Sequence, residues 1–330
     1  MLNIAILGLG WWGRHIITTL ENSSIINVVA AASRTVDKHK KFATEKNIIL
    51  YEDYNTLLND PLVDGIVLCT PNTQHEEQVK KAAYAGKQIF CEKPLALTKN
   101  AAENIISYAN KFNLVLGVGH ERRFDPAIEE LSKIIKSKQF GKKMHIEANW
   151  SHDILAALDS NNWRGSLEEA PAGGMTGTGV HMTDLFLSLF GTVESIFAQT
   201  ANQVLDFKTG DITVVLMKFT NGATGQLSVI SKTPYYCRLS AFGDNMWAEV
   251  RDTKHPMYGA KNQLLSCAIN KEPISKVFPA VNTIKANLEE WALSITQNKK
   301  YRFNDIERVQ NVAILEAITK SAKDNNWTKV

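Results

Sequence analysis

The sequence predicts an α/β chain in two parts: a doubly wound parallel sheet, then an α+β region on a large, mainly antiparallel open sheet. Three observations predict it. The chain opens on a branched apolar run, Leu2 to Leu7, which breaks at Gly8-Leu9-Gly10-Trp11-Trp12-Gly13 and resumes as a helical pattern through Ile16, Ile17 and Leu20. The first third then alternates short apolar runs with amphipathic segments, as parallel strands covered by helices do. After Phe124 the runs lengthen and alternate apolar with polar residues, the signature of antiparallel strands.

Taken in order, further strands are predicted at 27–32, 48–51, 65–69, 88–91 and 114–118, with helices over 73–85 and 98–111 between them. A helix over 126–137 begins the second part, followed by strands at 143–150, 193–200, 211–219 and 224–230. Asn221-Gly222 supplies the hairpin turn between the last two. Helices over 281–296 and 305–323 close the chain, the second with Asn304 and Glu307 spaced as a capping box. The expected domains are 1–122, the doubly wound part, and 123–330, the part on the open sheet, with the C-terminal helices packing back on the first.

Composition narrows the function by exclusion. Of 330 residues, 44% are hydrophobic and 22% charged, and the formal net charge is only +3 with acids and bases interspersed. Nothing there suggests a nucleic-acid or membrane surface. Cys69, Cys91, Cys237 and Cys267 lack metal-ligand spacing, so no metal is expected, and reduced thiols suit a cytoplasmic protein. The N-terminal apolar run lacks a basic flank and ends within the glycine turn, unlike a signal peptide.

The chemistry concentrates at strand ends. In the opening turn Gly8 permits a tight bend, Gly10 lets a pyrophosphate approach the backbone and Gly13 lets helix pack on strand, with Trp11 and Trp12 beside them. At the end of the second strand, where a carboxylate commonly takes the ribose hydroxyls of NAD, the chain has Ser33-Arg34. A hydroxyl, a planar cation and Lys38 nearby suit a 2′-phosphate, which favours NADP. NAD stays open, because an arginine there also stacks on adenine. Thr70-Pro71-Asn72 with His75 follows the fourth strand, and Glu92-Lys93-Pro94 the fifth, both at the carboxyl edge where such sheets bind ligands. After the sixth strand, Arg122 and Arg123 are placed to reach an anionic or polyhydroxylated ligand.

These segments, with Asn162-Trp163-Arg164 and the run from Gly173-Gly174 through His181 to Asp184, resemble in order and spacing the glucose–fructose oxidoreductase, inositol dehydrogenase and rhizopine-catabolism family, Gfo/Idh/MocA. The resemblance implies a Rossmann domain and a C-terminal sheet packing against another subunit, in a homodimer or homotetramer. It also implies an NAD(P)-dependent oxidoreductase of sugars, cyclitols or related hydroxylated rings. Lys93 is then the proton donor or acceptor, in a turn fixed by Glu92 and Pro94, and Arg164 faces cofactor or substrate. His181 is the second catalytic residue, and Arg122, His152, Trp163 and Thr178 contact substrate. One departure stands out: the family's aspartate, four residues before the histidine, is Gly177 here. Substrate hydroxyls that it would bind fall to Thr178, Thr176, His152 or water, or are absent. A dihydrodiol or hydroxy-semialdehyde dehydrogenase is the alternative if the pocket is aromatic-lined. A non-catalytic dinucleotide sensor and a glycosidase using bound NAD are the others.

Overall fold

The computed structural model describes residues 1–157, 162–259 and 261–330. Residues 1–121 and 284–305 form one compact unit, and residues 122–283 and 306–330 the other.

The first unit is built on β1 (Leu2–Leu7), β2 (Ile26–Ala32), β3 (Ile49–Tyr51), β4 (Gly65–Leu68), β5 (Gln88–Cys91) and β6 (Leu116–Val118). They pair in parallel in the order β3-β2-β1-β4-β5-β6. The order reverses between β1 and β4, which opens a crevice at their carboxyl ends. Helices α1 (Trp11–Leu20), α2 (Lys40–Glu45), α3 (Tyr54–Leu58), α4 (His75–Tyr84) and α5 (Lys99–Lys111) connect the strands. Each forms for a local reason, as α5 shows. Thr98 caps it by accepting from the Ala101 N–H, and Ala102, Ile105, Ile106 and Ala109 bury one helical stripe. The strands are apolar at consecutive positions because both faces are covered, and Ile4, Ala5 and Ile6 have no exposed surface.

In the second unit α6 (Pro126–Lys136) precedes β7 (Lys143–Ser151), and α7 (Val180–Phe190) follows. Then come β8 (Val193–Ala201), β9 (Ile212–Phe219), β10 (Thr224–Ile230), β11 (Tyr236–Gly243), β12 (Met246–Asp252), β13 (Asn262–Ala268) and β14 (Ile274–Phe278). Next, α8 (Thr283–Thr296) lies almost wholly within the first unit, while α9 (Asp305–Asp324) and β15 (Thr328–Lys329) complete the second. The nine strands run β14-β13-β12-β11-β7-β10-β9-β8-β15. Pairing is antiparallel except at the centre, where β10 runs parallel to β7, so the sheet is mixed. The hairpin at Asn221-Gly222 is present, with Gly222 at φ +88°. Four strands between 236 and 278 were not anticipated from the sequence. The reason is local: β11 buries three consecutive residues, and β14 exposes four of its five, so neither shows clean alternation.

Two helices carry load for strand ends that matter below. Trp291 of α8 is fully buried, donates from Nε1 to the Val115 carbonyl at 3.0 Å and meets the Phe90 ring edge-on at 5.6 Å. Asn287, one helical turn earlier, donates to the Val118 carbonyl at 2.9 Å and accepts from Tyr301 Oη at 2.6 Å, pinning the end of β6. In the second unit Asn311 of α9 donates to the Val180 carbonyl at 3.0 Å and to Thr183 Oγ1 at 2.9 Å, bracing the start of α7. No helix among the described residues is long and apolar enough to cross a membrane.

Candidate active site

At the β1–α1 turn the geometry follows from missing side chains. Gly8 has φ +98°, and a Cβ there would lie 2.8 Å from the Cys69 carbonyl oxygen. A Cβ on Gly13 would run into the Gly8 carbonyl, whereas one on Gly10 meets nothing within 4 Å. The turn is therefore closed behind and open in front. Gly10 caps α1 in an extended conformation with no side-chain bond, and the first helical turn holds no acid. Its N–H donors and the helix dipole suit an anion such as a pyrophosphate, so the residues fit a dinucleotide. Trp11 is 49% exposed beside this opening, its ring 5.2 Å from Trp12.

Beyond β2 the expected 2′-phosphate residues Ser33, Arg34 and Lys38 are half-buried, exposed and exposed. A chain of contacts unmarked in the sequence joins them to α1. Ser33 Oγ lies 3.4 Å from Thr35 Oγ1, which lies 3.4 Å from His39 Nε2, and His39 Nδ1 lies 2.6 Å from an Arg14 guanidinium nitrogen. Arg14 also donates to the Lys38 carbonyl at 3.2 Å. Burial, then the charges of Arg14 and Lys38, lower the His39 pKa. Arg14 has no motif of its own, and only the fold brings it here.

The turns after β4 and β5 are held together from beneath. His75 is fully buried, with Nδ1 3.0 Å from the Pro94 carbonyl and Nε2 3.2 Å from the Thr70 carbonyl. Expected from the sequence beside the cofactor, His75 has both ring nitrogens on protein carbonyls, and it ties the Thr70 turn to the Lys93 turn. Thr70 Oγ1 donates to Gln78 Oε1 at 2.5 Å, while Pro71 and Asn72 open the short 3-10 turn before α4. Glu92 is 7% exposed and accepts from the Lys93 N–H at 3.2 Å. A Cβ on Gly119 would lie 2.7 Å from the Glu92 carboxyl carbon, so only glycine leaves room for that carboxylate. Lys93 itself is half-buried, and its peptide bond to Pro94 is cis. Burial first, then Glu92, pushes the Cys69 and Cys91 thiols well up, so both favour the thiol over the thiolate.

In the second unit the Gly173–His181 run forms a π-helical turn, Met175–Gly179, leading into α7. Thr178 Oγ1 lies 3.1 Å from His152 Nε2, and both residues are buried. The His181 ring, 3% exposed, lies 5.3 Å from the Trp150 ring. Thr176 Oγ1 accepts from the Ala172 N–H at 3.1 Å and is thereby used within the turn. Gly177 is exposed, and a Cβ there meets nothing within 4 Å. The family's aspartate is therefore missing from a place with room for it.

Both arginines of the 121–124 turn are buried and ion-paired. Arg122, expected to bind substrate, is 2% exposed, bonded to Asp252 at 2.9 and 3.0 Å, and set 5.3 Å from the Trp150 ring. A buried guanidinium already paired in this way acts in the framework of the site. Arg123 forks onto Asp184 at 2.6 and 2.7 Å and reaches Glu307 at 2.6 Å. Arg164 lies on the short turn Trp163–Gly165, half-buried, its guanidinium 4.1 Å above the Trp163 ring. The feature missed in the sequence is His255, on the connection between β12 and β13. Its ring lies 5.7 Å from His152, 5.9 Å from Trp150, 5.7 Å from Tyr235 and 6.0 Å from Tyr258. No motif announces an aromatic cluster assembled from three separate strand ends. Among the described residues no cluster of His, Cys, Asp and Glu could hold a metal.

Comparison with known proteins agrees across the chain. Residues 2–120 match the family described as an oxidoreductase family with an NAD-binding Rossmann fold, and residues 128–249 match the GFO/IDH/MocA C-terminal domain. The chain is 26% identical over 253 residues to myo-inositol 2-dehydrogenase of Thermotoga maritima, covering 73% of each protein. It is 35% identical over 128 residues to trans-1,2-dihydrobenzene-1,2-diol dehydrogenase of Xenopus tropicalis, or 38% of this chain and only 39% of that one. A solved oxidoreductase from Desulfitobacterium hafniense superimposes with a TM-score of 0.91 over 99% of this chain and 97% of that one, at 22% identity.

Proposed function

This chain belongs to the GFO/IDH/MocA oxidoreductase family, and from that premise we propose an NADP-preferring dehydrogenase or reductase of a sugar, cyclitol or related hydroxylated ring. A nicotinamide dinucleotide held at the Gly8–Gly13 turn would supply the hydride transfer, and the rest is the work of this chain's residues. Lys93 gives or takes the hydroxyl proton, and His181 orients the reacting oxygen. The observation that carries the reading is the Lys93 turn. A mobile side chain becomes a dependable acid or base only on a fixed backbone. Here Glu92 holds the Lys93 N–H and His75 supports the Pro94 carbonyl, in the same unit as the glycine turn.

The β2 end supports NADP. Ser33, Arg34 and Lys38 offer a hydroxyl and two cations, the nearby Asp37 carboxylate is paired with Lys40, and Arg14 lies behind them through His39. Pairing of subunits through the open face of the nine-stranded sheet is part of the same reading. On this sheet Arg238 of β11 pairs with Glu147 of β7 and Glu249 of β12, all three partly buried.

A second reading is favoured by one observation. The rings around His255, set edge-on and tilted to it, make an aromatic surface that suits a dihydrodiol, and a relative of that activity is among the proteins this chain resembles. The test is a panel of sugars, myo-inositol and a trans-dihydrodiol, followed by nicotinamide absorbance with NAD and NADP separately. Lys93→Met is expected to lower kcat by about 10²–10⁴-fold, with dinucleotide affinity within about threefold of the parent. A Lys93→Met protein that binds cofactor and turns over at the full rate sinks the assignment.

A further inference from the structure

We propose that His255 is a substrate-selecting residue, and that it recognises a hydroxylated ring with one apolar face. This deepens the reading above and rests on it. Three observations place it there. First, the segment 253–259 after β12 sets the His255 imidazole among Trp150, His152, Tyr235 and Tyr258, at 5.7 to 6.0 Å between ring centres. Second, this cluster is continuous with the family's substrate segment: Trp150 also meets the His181 ring at 5.3 Å, and His152 is hydrogen-bonded to Thr178 at 3.1 Å. Third, the residue next to Thr178 is Gly177, and a Cβ there meets nothing within 4 Å.

The chemistry follows from these positions. A carboxylate at position 177 would accept hydroxyl hydrogens, and the chain has none. An imidazole can accept or donate at either ring nitrogen, and its faces pack against C–H groups or π systems, which a carboxylate cannot do. His255 remains half-buried, whereas His152 and His181 are only 7% and 3% exposed. It is therefore the ring of the three most open to a newcomer. Its neighbours explain why it stays in place. Tyr235 Oη donates to Asp252 at 2.9 Å, and the same carboxylate holds Arg122 against Trp150, so the wall behind His255 is cross-linked by buried polar bonds. Exchange of hydroxyl recognition from a carboxylate to an imidazole shifts preference away from rings polar on every face.

Two sources supply such a ring, a cyclohexadiene diol and a cyclitol presenting its C–H face, and one experiment separates them. Binding of trans-1,2-dihydrobenzene-1,2-diol and of myo-inositol to the NADP-loaded protein is measured by calorimetry, with turnover read from nicotinamide absorbance in parallel. His255→Ala is expected to weaken the better ligand by about tenfold or more while NADP affinity and thermal midpoint stay at parent values. His255→Phe keeps the ring and loses the nitrogens, so it is expected to recover diol binding and not inositol binding. The proposal is overturned if His255→Ala binds both compounds as the parent does, if its loss of ring binding comes with an equal loss of NADP affinity, or if the parent binds neither compound. A parent that binds a ring compound and never reduces or oxidises it overturns the dehydrogenase reading and leaves the binding role of His255 standing.

Discussion

At the β1–α1 turn the first unit makes room for a ligand by omitting side chains, whereas around Trp150 and His255 the second unit fills the space with rings. The difference has consequences for tolerance. Where backbone packs on backbone, as Gly13 does against Gly8, an added methyl has nowhere to go. Where side chains meet side chains, one can be exchanged for another of similar shape. A cofactor common to a whole family suits the first construction, and a substrate particular to one protein suits the second.

The largest effect is expected at Gly13→Ala, which breaks the first construction at its tightest point. Its Cβ would strike the Gly8 carbonyl and crowd Ile6 at 3.2 Å, so the helix must lift from the strand. Dinucleotide affinity measured by fluorescence titration should fall by about 100-fold or more, with a loss of about 1–3 kcal/mol in denaturant unfolding. Parent-like affinity would show that the turn is not held by backbone contact.

The same contrast sets what could be read in the sequence. The β1 run, the glycine turn and the Lys93 turn are contiguous, so each carries its own signal, and the parallel sheet followed from them. The turn that holds His75 is legible in the sequence, but its burial beneath two carbonyls is not, because that depends on how α4 docks. The pairing of Arg122 is hidden for a related reason: its partner Asp252 lies 130 positions away. The cluster around His255 draws on β7, the segment after β10 and the connection after β12. Only the nine-stranded order brings these together.

A middle-sized effect is expected where the second unit fixes a loop by one side chain. Asp211 accepts from the N–H groups of Gln203, Val204 and Leu205 at 2.6 to 3.1 Å. Burial works against its charge, yet the donors of Leu205, Val204 and Gln203 prevail and hold its pKa below the ordinary carboxylate range. A depressed pKa in the folded state adds stability that is complete above the unfolded value and is lost as pH falls through that value toward the folded one. Asp211→Asn should therefore cost about 1–3 kcal/mol near pH 7, and the gap from the parent should close as pH is lowered toward 3. A gap that is constant with pH would mean that shape, not charge, holds the loop.

The smallest effect on stability is expected at Gly177→Asp, and it sharpens the comparison most. Gly173 in the substrate segment packs on the Thr209 carbonyl much as Gly13 packs on Gly8, whereas position 177 leaves open space by omission. Unlike Gly13, Gly177 has no neighbour within 4 Å of an added Cβ, and its φ is not in the left-handed region. The variant should unfold within about 0.5 kcal/mol of the parent, because an exposed substitution into open space neither clashes nor buries a charge. Its effect should appear in selectivity. A carboxylate beside Thr178 adds a strong acceptor for hydroxyl hydrogens, so kcat/KM for myo-inositol should rise relative to that for the dihydrodiol by about tenfold, the worth of one charge-assisted hydrogen bond. If the ratio stays fixed while stability is unchanged, the substrate does not reach position 177, and discrimination lies with the rings around His255 alone.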